Sequence, residues 1–132
     1  LDLRTAVGRA DLITSATTSR EPLIRGAWLR DGTHVDLVGA FRRDMREADD
    51  AAILRARVIV DTCAGALAEA GDLTQPIERG LITPAHVIGE LSQLLRGEVR
   101  GRVTPQDITL FKSVGTALED LAAASLVVSR CA

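Results

Sequence analysis

Arg57-Val58-Ile59-Val60-Asp61 is an apolar run of strand length, and just beyond Thr62 the alanine-rich stretch 63–70 turns helical. A strand that passes directly into a helix is the unit from which parallel sheets covered by helices are built. The same alternation recurs upstream. Asp11-Leu12-Ile13-Thr14-Ser15-Ala16-Thr17-Thr18 reads as a buried strand ending in small hydroxyl residues, and His34-Val35-Asp36-Leu37-Val38-Gly39 as a second strand that stops at a glycine. Between them Pro22 ends any helix, residues 21–29 make a short connection, and Asp31-Gly32 supplies a turn. Residues 1–10 read as a helix tail and residues 42–47 as a charged loop. Asp49 and Asp50 are placed to cap a helix over 51–56, where acidic groups meet the positive helix end.

Downstream, Gly71 suits the left-handed residue that closes the 63–70 helix. Thr83 as N-cap, Pro84 at the first helical position, and Val87, Ile88, Leu91, Leu94 and Leu95 on one apolar face predict a longer helix ended by Gly97. Residues 98–106, with Gly101, Arg100, Arg102 and Pro105, read as a surface loop. Ile108-Thr109-Leu110-Phe111-Lys112 is then a final apolar run that breaks at Ser113-Val114-Gly115-Thr116 and becomes a helix reaching residue 128. Such a junction leaves N–H groups that can point at an anion or a carbonyl oxygen. Thr109 and Ser113 serve equally well as simple caps. The expected fold class is α/β: half of a doubly wound parallel sheet, followed by C-terminal helices.

A chain of 132 residues falls within the roughly 100–200 of a single domain. Its only aromatic residues are Trp28, Phe41 and Phe111, which argues against base stacking. The net charge of −2 comes from 16 basic and 18 acidic residues that are interspersed, so neither a nucleic-acid surface nor a polybasic membrane patch is expected. Cys63 and Cys131 make no disulfide framework, and no Cys/His cluster has metal-ligand spacing, so a reduced cytoplasmic setting and no metal are expected. No apolar stretch reaches the roughly 18 residues of a membrane span, and Leu1-Asp2-Leu3-Arg4 does not open a signal peptide. Because Leu1 is not methionine, the chain is expected to be processed or cut from a longer one. His34 and His86 are each isolated from other titrating groups, and no catalytic role is assigned to either.

In sheets of this kind ligands lie beyond the carboxyl ends of the strands. The candidates are therefore Ser15-Ala16-Thr17-Thr18, Val38-Gly39-Ala40-Phe41 and Asp61-Thr62. Small residues there let a flat cofactor approach the backbone, and their hydroxyls can bond a ribose or a phosphate. The plainer alternative is that Gly39 only makes a turn and Thr17 only satisfies local backbone. Neither GxGxxG nor GxxxxGK[ST] occurs in the sequence.

Four segments carry a more specific signal. Val35-Asp36-Leu37-Val38-Gly39-Ala40-Phe41-Arg42-Arg43-Asp44-Met45-Arg46-Glu47, Val60-Asp61-Thr62, Ala66-Leu67-Ala68-Glu69-Ala70-Gly71-Asp72 and Phe111-Lys112-Ser113-Val114-Gly115-Thr116-Ala117-Leu118-Glu119-Asp120 together resemble the ornithine cyclodeaminase/mu-crystallin family, in order and over nearly the whole chain. The resemblance implies a dimeric NAD(P)-dependent oxidoreductase with a Rossmann domain and a second, substrate-binding domain. Residues 1–72 would be the second half of the Rossmann domain, 73–106 a helical segment and loop, and 107–132 a final strand whose helix returns towards the substrate and dimerisation domain. The glycine-rich loop, and the arginine and lysine that grip a substrate carboxylate, are expected before Leu1. Residue by residue, the resemblance places Ser15, Ala16 and Thr17 beside the adenosine and ribose, and Val38, Gly39 and Ala40 near the nicotinamide. It places Ser113 on the nicotinamide and Val114 in the substrate pocket. Glu119 and Asp120 are expected to serve the helix itself.

One departure separates members of the family. Ornithine cyclodeaminases carry Gly-Gly-Asp where this chain has Gly39-Ala40-Phe41, and a phenyl ring cannot move the proton that deamination requires. Phe41 therefore enters the substrate-side candidates, no catalytic residue is named, and the chain looks closer to the ketimine reductase and mu-crystallin branch, although Arg43 replaces that branch's proline. The expected activity is hydride transfer between NAD or NADP and an imine or amino-acid α-carbon, with a small carboxylate substrate and a homodimer as the assembly. Ornithine cyclodeamination to proline and ammonia is the alternative within the family, and a non-enzymatic, crystallin-like binder of small ligands the alternative outside it. The 132 residues alone are expected to be inactive.

Overall fold

Alternating burial sorts the strands. A computed structural model describes residues 2–131. It contains five parallel strands, β1 (Leu12–Ser15), β2 (His34–Leu37), β3 (Ala56–Val60), β4 (Val87–Glu90) and β5 (Ile108–Lys112), in the order β1-β2-β5-β3-β4. Side chains in a strand point alternately to the two faces. On one face Val35, Leu37, Val58, Val60 and Leu110 are buried against Ile24, Ile53, Ala66 and Leu73. Each such side chain contributes about 1.5–3 kcal/mol by leaving water. Ile53 comes from α2 (Asp50–Arg55), Ala66 from α3 (Cys63–Glu69) and Leu73 from α4 (Gly71–Glu78). The other face carries Arg57, Ile59 and Phe111, and there a groove of about 590 Å³ separates the sheet from Leu94 and Val99. Leu94 belongs to α5 (Leu91–Leu95).

Helix starts follow the expected chemistry. Asp2 caps α1 (Leu3–Arg9) by accepting the Thr5 N–H, Asp49 caps α2 through Ala52, and Thr62 caps α3 through Gly65. Leu1 of the expected N-terminal helix lies outside the described residues. The last helix, α6 (Ala117–Cys131), buries none of its described side chains, and Leu118, Leu121, Val127 and Val128 are exposed along it. Among the described residues no helix is long and apolar enough to cross a membrane, and Cys63 and Cys131 are free.

Three expectations are corrected. The 11–18 run gives only a four-residue strand, and because β1 lies at the sheet edge its Leu12 is exposed. The helix expected from Thr83 to Gly97 divides into a 3-10 turn (Pro84–His86), β4 and α5. Pairing of Val87, Gly89 and Glu90 with β3 overrides the helical spacing of the apolar residues, and the carboxylate of Glu90, the last residue of β4, accepts the Cys63 N–H at 2.7 Å. Gly71 does not close α3 in a left-handed conformation but opens α4, because the chain passes so close there that an added Cβ would lie 1.9 Å from the Met45 carbonyl oxygen.

Behind Gly71 a polar network is sealed in the core. Asp72 is fully buried and accepts the N–H groups of Glu47 and Ala48, each at 2.9 Å, which fixes the segment that carries Glu47 beneath the strand ends. Burial pushes the Asp72 carboxyl up to about 6, against the pull of those two N–H groups, Lys112 and Arg46. Arg46 lies beside it, buried, and pairs with Asp50 at 2.8 Å.

Two substitutions test this packing. Gly71→Ala is expected to lower unfolding free energy by about 1–3 kcal/mol in a urea titration, since backbone must shift to admit the methyl. Gly8→Ala, in the last turn of α1, whose Cβ would meet only the Trp28 carbonyl oxygen at 3.6 Å, should stabilise by about 0.4–1 kcal/mol. For Asp72, the folded value near 6 exceeds the ordinary 3.8, so its contribution to stability is full below pH 3.8 and is lost as pH rises through 6. Asp72→Asn should remove that slope, by at most about 3 kcal/mol between its ends. Unfolding titrations of both proteins from pH 4 to 7 read the difference.

Candidate functional site

The carboxyl ends of three neighbouring strands lie level, with Ser15 paired to Leu37 and Leu37 to Lys112. The segments leaving β1, β2 and β5 therefore emerge side by side. The Ser15 carbonyl accepts the Val38 N–H at 2.8 Å and the Thr17 carbonyl accepts the Ala40 N–H at 3.3 Å, so the first two segments stay in register beyond the sheet. Gly39 is required between them: a Cβ there would come within 2.1 Å of the Thr17 carbonyl oxygen and 2.5 Å of Glu47 Oε1. Ala40 follows with a φ of 50°, a left-handed conformation that costs an alanine about 1–2 kcal/mol.

Two buried carboxylates hold these segments. Glu47 Oε1 accepts the Ser15 hydroxyl and the Thr17 N–H, both at 2.6 Å. Asp61 Oδ2 accepts the Ser113 hydroxyl at 3.0 Å and the N–H groups of Val114 and Gly115 at 2.8 Å, while Oδ1 accepts the Thr62 N–H. The next N–H, on Thr116, is 3.4 Å from the Glu119 carboxylate, which gives Glu119 the helix-serving role expected of it. The donors of the strand-to-helix junction, which the sequence left open between an outside anion and simple caps, are thus met by the chain's own carboxylates and, at Gly115, also by the Ser113 hydroxyl oxygen at 3.1 Å. Thr109 is no cap: it sits within β5, its hydroxyl 2.7 Å from His34 Nδ1.

Lys112 is fully buried at the same edge. Its ammonium donates to the carbonyl oxygens of Leu37 at 3.2 Å, Ser113 at 2.6 Å and Gly39. Burial pushes its pKa down, opposed by the charges of Asp72, Glu47, Asp61 and Asp36.

Ser15, Ala16, Thr17, Val38, Gly39, Ala40 and Ser113 accordingly form one contiguous rim. Ala16, Val38 and Gly115 are exposed on it, and space is open around Gly115, whose Cβ would meet nothing within 4 Å. The Ser113 hydroxyl hydrogen is committed to Asp61, so towards a ligand that oxygen can only accept. Val114 is turned to the Gly65 side, where its Cγ2 lies 3.0 Å from the Cβ position of that glycine. Phe41, the residue after Ala40, lines a shallow depression with Arg42, Arg43, Asp44 and Ala68. Among the described residues no group of three or more His, Cys, Asp or Glu is arranged to hold a metal ion.

Reading the sequence alone missed Glu47, Asp72 and Lys112 as the residues that set the rim. Lys112 did leave a signal: it continues the inward-facing series Ile108, Leu110, Lys112, so strand alternation alone puts its charge inside.

Known proteins share this sequence pattern and fold. The chain is 50% identical over 126 residues to a Δ1-pyrroline-2-carboxylate reductase of Paracoccus denitrificans, matching 96% of this chain and 40% of that protein. A solved Δ1-pyrroline-2-carboxylate reductase of Thermococcus litoralis, in complex with NADH and L-proline, superposes with a TM-score of 0.90 at 41% identity, over 93% of this chain and 38% of that one. The iminosuccinate reductase of Paracoccus denitrificans in complex with NAD+ superposes with a TM-score of 0.88 at 32% identity, over 98% and 39%. The chain spans about two fifths of the length of the curated relatives it matches. The family model for ornithine cyclodeaminase/mu-crystallin proteins matches residues 1–132, and the chain belongs to the ornithine cyclodeaminase/mu-crystallin family.

Proposed function

We propose that the whole protein is an NAD(P)-dependent reductase of cyclic imino-acid carboxylates of the Δ1-pyrroline-2-carboxylate type, and that this chain forms the nicotinamide side of its cofactor cleft. The observation that carries the reading is the rim itself, where Ser15 to Thr17, Val38 to Ala40 and Ser113 meet at the carboxyl ends of adjacent parallel strands. A parallel sheet binds dinucleotides at this edge. The residues fit such a group: the exposed members of the rim are small, and open space at Gly115 leaves room for a flat ring. Relatives named as reductases, and solved neighbours holding NADH or NAD+, support the same choice.

When bound, the dinucleotide would supply the hydride. The chain's residues would then position and shield. The Ser113 oxygen, limited to accepting, suits the amide N–H of a carboxamide, and the Thr17 hydroxyl, which accepts the Ser19 N–H at 3.2 Å, keeps its hydrogen for a ribose oxygen. An iminium is electrophilic before it meets the enzyme, so alignment of the reacting carbon with the hydride does most of the work. Phe41, where an aspartate would serve deamination, favours reduction over ornithine cyclisation. On the same reading α6, with its exposed leucines and valines, leads into the substrate and dimerisation domain of a homodimer.

The test is direct. Complete protein incubated with NADH or NADPH and Δ1-pyrroline-2-carboxylate or Δ1-piperideine-2-carboxylate should consume the reduced dinucleotide, and should release no ammonia from ornithine. Ammonia release would replace this reading with cyclodeamination. Saturable ligand binding without turnover would replace it with the binding-protein class.

A further inference from the structure

Lys112 is placed where a charge is most expensive. It pairs with Leu37 on one side and Val60 on the other, within the covered face of the sheet, and has no solvent exposure. Among the described residues no carboxylate lies within ion-pair distance of it. Its three N–H bonds go instead to three peptide carbonyls, which exhausts the donors of an ammonium group. Two of those carbonyls, on Leu37 and Gly39, belong to the β2 segment and the third, on Ser113, to the β5 segment.

The opposite ends of the same peptide units are also held. The N–H following Leu37 is bonded by the Ser15 carbonyl, the one following Gly39 by the Thr17 carbonyl, and the one following Ser113 by Asp61. A peptide unit is planar, so gripping its oxygen and its N–H fixes the orientation of the whole group. One of these units leads straight into Ala40, whose left-handed backbone persists only if its surroundings enforce it.

Resting on the function proposed above, we propose that Lys112 is the positioning residue of the cofactor cleft, an internal cation that locks the Gly39–Ala40 and Ser113–Val114 peptides together and so sets, with one group, the two segments by which this chain borders the cleft. Its role is geometric. The ammonium touches neither substrate nor dinucleotide, and no proton leaves it during turnover. Hydride transfer is sensitive to such geometry, since displacement of a reacting group by about 1 Å costs about 100-fold in rate. A neutral side chain of similar length would keep the packing but leave the Gly39 and Ser113 oxygens without this donor.

The experiment uses the complete protein with Lys112→Met and Lys112→Ala, read first by amide hydrogen exchange. Exchange at Ala40 and Val114 should accelerate by about 10-fold or more while Val58 and Leu110, in the middle of the sheet, keep their protection. Dinucleotide affinity should fall by about 10-fold and kcat/KM by about 100-fold, and n-propylammonium, which replaces the missing arm and its three donors, should restore part of both in Lys112→Ala. Tetramethylammonium, which carries charge but no N–H, should restore nothing. Unchanged exchange at Ala40 and Val114, or uniform acceleration across the sheet, would overturn the proposal. So would failure of both variants to fold, which would assign Lys112 to stability alone. If the unsubstituted protein binds neither dinucleotide, the function proposed above fails, and the exchange pattern by itself decides whether Lys112 locks the two peptides.

Discussion

Among the described residues, strand β5 is the only link between two halves of the sheet. β2 pairs with β1 on one side and β3 with β4 on the other, and neither β2 nor β3 touches the other: each finds its second partner in β5. Buried backbone groups must be paired, so the inner edges of β2 and β3 depend on residues 108–112 arriving between them. These contacts span long sequence separations, which makes their closure the slow and expensive part of assembly. Everything at the carboxyl edge inherits that dependence, because Lys112 and Ser113 end the inserted strand and Asp61 ends its neighbour.

The polar interior is the counterpart of this topology. Parallel strands end level, and where three of them stop the core must also end, leaving carbonyl and N–H groups with no ladder to join. Asp61, Asp72 and Lys112 satisfy them from within, each through several bonds to backbone, and Glu47 through one to backbone and one to the Ser15 hydroxyl. Removing one partner from such a network costs more than the bond itself, since the other partner stays buried and unpaired. The network therefore makes the rim rigid without placing a titrating side chain on its open side.

How far the sequence discloses this can be argued from particular residues. β2, β3 and β5 announce themselves as short apolar runs bounded by turn residues or helices, and the Asp49 cap is a local event that local reading finds, whereas Thr62, read as a strand-end candidate, also caps α3. The stretch from Thr83 to Gly97 misleads because its apolar spacing fits a helix, while the hydrogen bonds that make Val87–Glu90 a strand come from β3, nearly thirty residues away. Gly71 misleads for a related reason: a glycine after a helix has a usual meaning, but this one answers a close approach by the Met45 carbonyl, which no local pattern encodes. The rim residues were found through their position at strand ends and through family resemblance. The groups that hold them were not, because a buried acid and a solvated one look alike until tertiary contacts separate them.

The commitment of Asp61 and Glu119 to the N–H groups of Val114, Gly115 and Thr116 has an electrostatic corollary. The start of a helix ordinarily offers a positive field to anions. Here Asp61, buried, and Glu119, exposed, bring negative charge to the three N–H groups just ahead of α6, which makes the β5 end of the rim a poorer berth for a phosphate. On the function proposed above, a dinucleotide lying across the edge would thereby be given a polarity, with its charged pyrophosphate turned away from β5 and an uncharged or cationic portion beside Ser113.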